Sequence, residues 1–270
     1  MKLMRISSLL HVAIALTLTA LPVRAAAEEA RTQTTTLSPG MEALDGKGLE
    51  PFVARYQELS LDQPAKPNGR ERSTRLDKLV VRGQEAVRFG ITMIGREASV
   101  YDEIQMLSDG LVPVMRIVSA PTILHKIEVF EGGAMKGIQI TKDASAAESM
   151  TIQPKGPRFS GGTADLILST LQLEEGMQIE IPTFSSDMGE AMANLITRAT
   201  VNSKTTLQAA NRSWDVWIVD LEQLDESGKP LELPNGASLP KARIWLSDQA
   251  PYTIRTEWRP GMASELIEVE

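Results

Sequence analysis

Outside its N-terminal apolar segment, the 270-residue chain carries one imidazole, His125, and no thiol anywhere. An imidazole could serve as a general base, a metal ligand or the middle member of a Ser-His-Asp triad. One histidine cannot build a multi-histidine metal site, and any triad would depend on His125 alone. It lies in Thr122-Ile123-Leu124-His125-Lys126-Ile127-Glu128-Val129-Phe130, where alternation reads as a strand. Ile123 and Ile127 share its face, so a histidine seated on a sheet face is the plainer reading. No Gly-x-Ser-x-Gly elbow is present, and no Ser-x-x-Lys opens a helix. The absence of cysteine excludes thiol hydrolases, thiolate metal sites, Fe–S clusters, disulfides and a lipidated N-terminal Cys.

Acids are the other source of chemistry. Asp102-Glu103, Glu174-Glu175 and the run Asp220 to Glu226 could hold a cation or act as paired general acid and base. None has the Asp-x-Asp-x-Asp-Gly calcium spacing, and solvated faces and turns account for them. A glycosidase-like pair among the 35 acids is not identifiable by spacing. The pairs Gly132-Gly133 and Gly161-Gly162 lack the frame of a phosphate-binding loop and read as turn or helix-start glycines. No catalytic residue, metal ligand or cofactor is assigned. The enzymatic alternative is an envelope hydrolase working through His125 or a carboxylate pair.

Trp214, Trp217, Trp245 and Trp258 all fall in the C-terminal third, on predicted strands. Sheet packing explains them, and so does the lining of a concave apolar cavity. The candidate cavity residues are Phe89, Ile91, Ile127, Phe130, Trp217, Trp245 and Trp258. The helix face Ile167, Leu168 and Leu171 would cover them. Twelve methionines suit a forgiving pocket and are equally ordinary core filler. Aromatic content of 4% is too low for an extended stacking platform.

The elements that must position these residues are mostly strands. Val87, Phe89, Ile91 and Met93 alternate cleanly, and Ala98 to Met106 supplies another strand. Asp109-Gly110 is a tight turn before a strand over Leu111 to Val118, where Pro113 suggests an edge or bulge. Glu131-Gly132-Gly133 joins the histidine strand to Met135–Ile140 as a hairpin, and Ser149 to Gln153 adds a short strand. Asp62 to Arg75, with Pro64, Pro67, Asn68 and Gly69, reads as a polar loop. Ala164, Ile167, Leu168 and Leu171 have helical spacing, with Thr163 as N-cap and Gly176 beyond the end. Met188 to Leu195 fits a helix or a loop. Strands return at Ile196–Val201, Thr205–Ala209, Arg212–Glu222, Ala242–Ser247 and Tyr252–Trp258. The expected fold is mainly β (α+β), a strongly curved antiparallel sheet or half-barrel with one crossing helix.

At the N-terminus, Lys2 and Arg5 precede the apolar stretch Leu9 to Leu21 and the small residues Ala25-Ala26-Ala27. Val23 and Ala25 stand at −3 and −1 of a cleavage site. The stretch is too short for a spanning helix, which needs about 20 apolar residues. The expected organisation is a signal peptide over 1–26, a flexible leader over 27–48 and one β-rich half-barrel domain over 49–270. Loss of Lys2, Arg5 and Arg24 makes a chain of formal charge −7 more acidic still. That balance argues against nucleic acid or an anionic membrane as partner. A periplasmic or secreted protein without a transmembrane span after cleavage is expected.

Three segments together resemble a family of exported bacterial proteins of unknown function. They are Gly161 to Gly176 leading into Gln178–Phe184, Asp109-Gly110-Leu111-Val112-Pro113-Val114-Met115-Arg116, and Ala242 to Arg255 with its Trp245, Asp248 and Pro251-Tyr252. The resemblance covers about residues 50 to 260 and implies the curved half-barrel of the periplasmic lipoprotein carriers. It implies a non-enzymatic envelope protein holding a lipid or other apolar ligand, or a segment of an envelope protein partner. It supplies no catalytic residue. The alternative among interaction proteins is a module that pairs an exposed sheet edge with a partner strand.

Overall fold

The computed structural model describes residues 34–61, 65–95, 99–186, 193–232 and 236–270. The expected signal peptide, the first part of the leader and most of Met188–Leu195 lie outside the described residues. Two strands open the fold, β1 (Thr34–Thr36) and, after a 3₁₀ turn at Gly46–Gly48, β2 (Phe52–Ser60). Then come β3 (Lys66–Val81), β4 (Gln84–Ile94), β5 (Ser99–Leu107), β6 (Pro113–Ser119), β7 (Ile123–Glu131), β8 (Ala134–Thr141) and β9 (Glu148–Ile152). The short β10 (Phe159–Ser160) precedes helix α1 (Ala164–Leu168). The chain ends with β11 (Gln178–Phe184), β12 (Asn194–Ala209), β13 (Arg212–Leu224), β14 (Ala242–Ser247), β15 (Thr253–Arg259) and β16 (Met262–Val269).

These strands form one sheet in the order β1-β11-β12-β13-β14-β15-β16-β2-β3-β4-β5-β6-β7-β8-β9, with β10 beside β11. Two antiparallel meanders are therefore stitched together where β16 pairs with β2. Only β1 and β10 run parallel to their neighbour, both on the same side of β11. The sheet is mostly antiparallel, curved and open, with β1 and β9 at its two edges.

Local chemistry explains the turns. Arg82-Gly83 between β3 and β4 and Ala210-Asn211 between β12 and β13 have positive φ at both positions. Two-residue hairpins of that kind match the right-handed strand twist. In β12 the two expected strands are one, broken in register between Val201 and Ser203. The extra residue, Asn202, bends the strand without ending it. In β3 the expected loop over Asp62 to Arg75 is strand from Lys66 on. Its outward charges are matched by neighbours, as with Glu71 on Arg55 at 3.2 Å, so polarity did not exclude pairing.

Curvature brings distant parts of the sheet into one core. Phe52, Tyr56, Leu76, Phe89 and Ile104 from one meander pack in the same cluster as Ile179, Val201, Val219, Ile244 and Ile254 from the other. Helix α1 fills the concave side, and Leu166, Ile167 and Leu168 are all buried. Burying each such side chain is worth about 1.5–3 kcal/mol. The helix is shorter than its apolar spacing suggests. Ser169 Oγ and Thr170 Oγ1 donate to the carbonyls of Leu166 and Ile167 at 2.7 and 2.8 Å, and so occupy the last turn. Residues 34–48 of the expected leader thread into the core through Leu37 and Leu44. Backbone bonds hold them, among them Leu37 N to Glu180 O at 2.8 Å, Gly40 N to Gly110 O at 2.8 Å, Gly110 N to Leu44 O at 3.0 Å and Gly46 N to Ser108 O at 2.9 Å.

Candidate functional site

The sequence-derived cavity residues divide among three surroundings. Phe89, Ile167 and Leu168 are buried in the main core, and Ile91, Leu171, Trp217 and Trp245 pack against it. Trp217 sits opposite Leu246 and Trp245 opposite Ile218 in the β13–β14 register, so the two indoles leave opposite faces of the sheet. Trp245 instead shares its face with Arg255, whose guanidinium carbon lies 5.1 Å from the ring. Ile127 and Trp258 are half-buried and belong to neither core cluster. His125 is exposed.

Phe130 stands apart from the others. It belongs to a second apolar cluster with Met135, Met150, Ile152, Phe184 and Ala193. Its ring meets Phe184 edge to face, with centroids 6.4 Å apart. Beside it runs an open groove of about 360 Å³, within the size range of ligand pockets. Val112 and Pro113 line it, as do Pro154 and Pro157 from the segment after β9. The β7–β8 turn at Gly132-Gly133 supplies backbone, with Gln153 Nε2 donating to Gly133 O at 2.9 Å. Of these prolines only Pro113 is marked in the sequence, as a sign of an edge or bulge, and nothing there shows that the fold gathers the three around one groove.

Arg158 borders the groove and is nearly buried, with a side chain 10% exposed. It donates to the carbonyls of Lys155 and Leu195 and pairs with Glu226 at 3.2 Å. Burial holds its guanidinium below the usual arginine range, and the Glu226 charge offsets part of that. The role this geometry supports is bracing the crossover from β9 to β12, since the donors already have acceptors.

A second polar constellation lies beneath β7. Lys126 and Glu128 are each 1% exposed and 3.3 Å apart. Lys126 Nζ donates to Ser186 Oγ at 2.8 Å, and the Ser186 hydroxyl donates to Glu128. Arg116 approaches Glu128 at 3.7 Å and makes a two-pronged pair with Asp102 at 2.9 and 2.6 Å. A serine touching a lysine resembles a nucleophile with its base. An ammonium paired to a carboxylate, however, donates hydrogen bonds and has no lone pair with which to take a proton. The arrangement fits a buried clasp between β7 and the end of β11. Sequence alternation marks Lys126 and Glu128 as one face but does not reveal that the face is interior.

Among the described residues, no group of three or more His, Asp or Glu is placed to hold a metal ion. No described helix is long and apolar enough to cross a membrane.

No protein-family model matches the chain, and no curated protein matches it. Two solved structures are similar in part. One is a Bacteroides fragilis protein described as exported with a YmcC-like fold, at TM-score 0.37 and 8% identity over 87% of this chain and 98% of that one. The other is a Parabacteroides distasonis protein described as a lipoprotein, at TM-score 0.32 and 8% identity over 88% of this chain and 100% of that one. Likeness at this level places the chain in no family.

Proposed function

We propose that this is an exported, non-enzymatic binding protein whose groove beside Phe130 takes an apolar, lipid-like ligand. The observation that carries the reading is an apolar wall of Val112, Pro113, Pro154 and Pro157 around a ring already braced by Phe184. Prolines and a braced aromatic lose little conformational freedom on binding, which lowers the entropic cost of holding a flexible chain. Export rests on the N-terminal pattern of Lys2 and Arg5, Leu9 to Leu21 and Ala25-Ala26-Ala27. A displacement titration with a fluorescent fatty-acid analogue tests the ligand class. Saturable uptake that falls at least tenfold in Phe130→Asp supports it, and uptake that ignores the substitution contradicts it.

A second reading rests on β9, the five-residue strand at one edge of the sheet. An edge strand offers unpaired backbone groups to an extended partner segment. Thr151→Pro would remove a backbone N–H from β9, whether it faces that edge or the β8 ladder. Loss of a co-purifying partner in that variant, with the groove still competent, would favour the edge over the groove.

A further inference from the structure

Beneath helix α1 the concave face holds a second, much smaller cavity. Tyr56 and Arg72 are register partners on β2 and β3, so both side chains project to the same side of the sheet. Phe52, Phe89 and Tyr252 give the cavity aromatic walls, and Arg72 and Asp165 bring two opposite charges to it. The space is about that of one water.

The hydrogen-bond inventory around this space is unbalanced. Arg72 Nε and Nη2 are buried and have no hydrogen-bond acceptor. The Arg72 guanidinium carbon lies 4.3 Å from the Tyr56 ring centroid, which attracts the charge but is a poor acceptor for N–H groups. Asp165 has capacity to spare. One oxygen accepts from Thr253 Oγ1 and the other from Leu166 N, each at 2.9 Å. A carboxylate offers about four acceptor sites, so roughly half remain. Leaving charged donors buried and unmade costs more than a neutral hydrogen bond is worth.

We infer that this cavity is a site for one internal water, bridging the Arg72 guanidinium to the Asp165 carboxylate and so tying β3 to α1. The charges select a neutral ligand. An anion would meet Asp165 across a space of one molecule, and a cation would meet Arg72. The Tyr56 hydroxyl senses both groups. Burial raises its pKa most, the Arg72 charge opposes that, and the Asp165 charge adds to it.

A high-resolution crystal structure of the mature chain, with and without a bromide soak, tests the assignment. The expected result is a density peak within about 3.2 Å of both Arg72 and Asp165 that shows no anomalous signal after the soak. A bromide peak there, or an empty cavity, overturns it. In solution, water-oxygen-17 relaxation dispersion counts long-lived internal waters. Arg72→Met should lose about one, while Arg72→Lys, which keeps a donor, should retain it. An unchanged count in Arg72→Met also overturns the assignment.

Discussion

Phe130 on β7 and Phe184 on β11 pack edge to face at 85°, although ten strands separate their positions in the sheet order. Only a sheet curled back on itself can bring them together. The contact bridges β7 and β11 beside the groove, so groove shape and the stability of that bridge are linked. Edge-to-face pairs contribute about 0.5–1.5 kcal/mol beyond area burial. Phe184→Ala should cost about 3–5 kcal/mol, since Phe184 is 1% exposed, and Phe130→Ala less. A double-mutant cycle read by urea denaturation should return a coupling within the first range. Strict additivity would mean the rings do not support each other.

The Lys126–Glu128 clasp predicts an asymmetry. Lys126→Met takes the nearer cation from a buried carboxylate, leaving it Arg116 at 3.7 Å and the Ser186 hydroxyl, and should cost about 3 kcal/mol. Replacing both residues by methionine removes the charge conflict and should cost less than that single change. Thermal unfolding of the three proteins decides the point. A double variant less stable than Lys126→Met would show that the clasp is stabilising in its own right.

Gly110 marks where the residues before β2 cross the β5–β6 turn. It has φ +71°, and a Cβ there would stand 2.3 Å from Gly40 Cα. Gly83 has φ +79° and nothing within 4 Å. Gly83→Ala should therefore show only left-handed strain, about 1–2 kcal/mol. Gly110→Ala adds a backbone clash that no rotamer relieves, so its urea midpoint should fall further. Equal losses would contradict the close approach.

How much was legible follows from these cases. The Asp109-Gly110 turn, the hairpin at Gly132-Gly133 and the alternation through Phe89 were readable because turn chemistry and period-two patterning are local. Only the first part of strand β3, Lys66 to Arg75, was hidden, because its Pro67, Asn68 and Gly69 resemble a loop, while cross-strand charge pairs such as Arg55–Glu71 satisfy it. The groove was nearly invisible, with Phe130 its one anticipated member. Its remaining walls come from proline and glycine positions far apart in sequence, which only the curvature of the sheet assembles. Trp217 and Trp245 show the converse. Both were grouped by type, yet their register places them on opposite faces.

All three tyrosines titrate above their ordinary value. Burial is the largest cause in each case. For Tyr101, pushed up to about 12, the hydrogen bond to Glu103 adds to burial. A phenol whose folded pKa is raised stabilises the fold fully below the unfolded value of about 10. That contribution is lost as pH rises above about 10, and it comes mainly from the buried Tyr56 and Tyr252, because solvent screens Tyr101, which is 37% exposed. Absorbance at the tyrosinate band should show no step near pH 10 in the native protein. Ionisation of Tyr56 or Tyr252 there would contradict the burial of those two rings.

The central claim is that the groove beside Phe130 holds an apolar ligand. Native mass spectrometry of the mature protein, purified gently from a bacterial envelope, tests it most directly. The account predicts a discrete extra mass of fatty-acid or phospholipid size on the wild type. That mass should be lost from both Phe130→Asp and Val112→Arg. A bare polypeptide mass for the wild type, or an adduct that survives both substitutions, would contradict it.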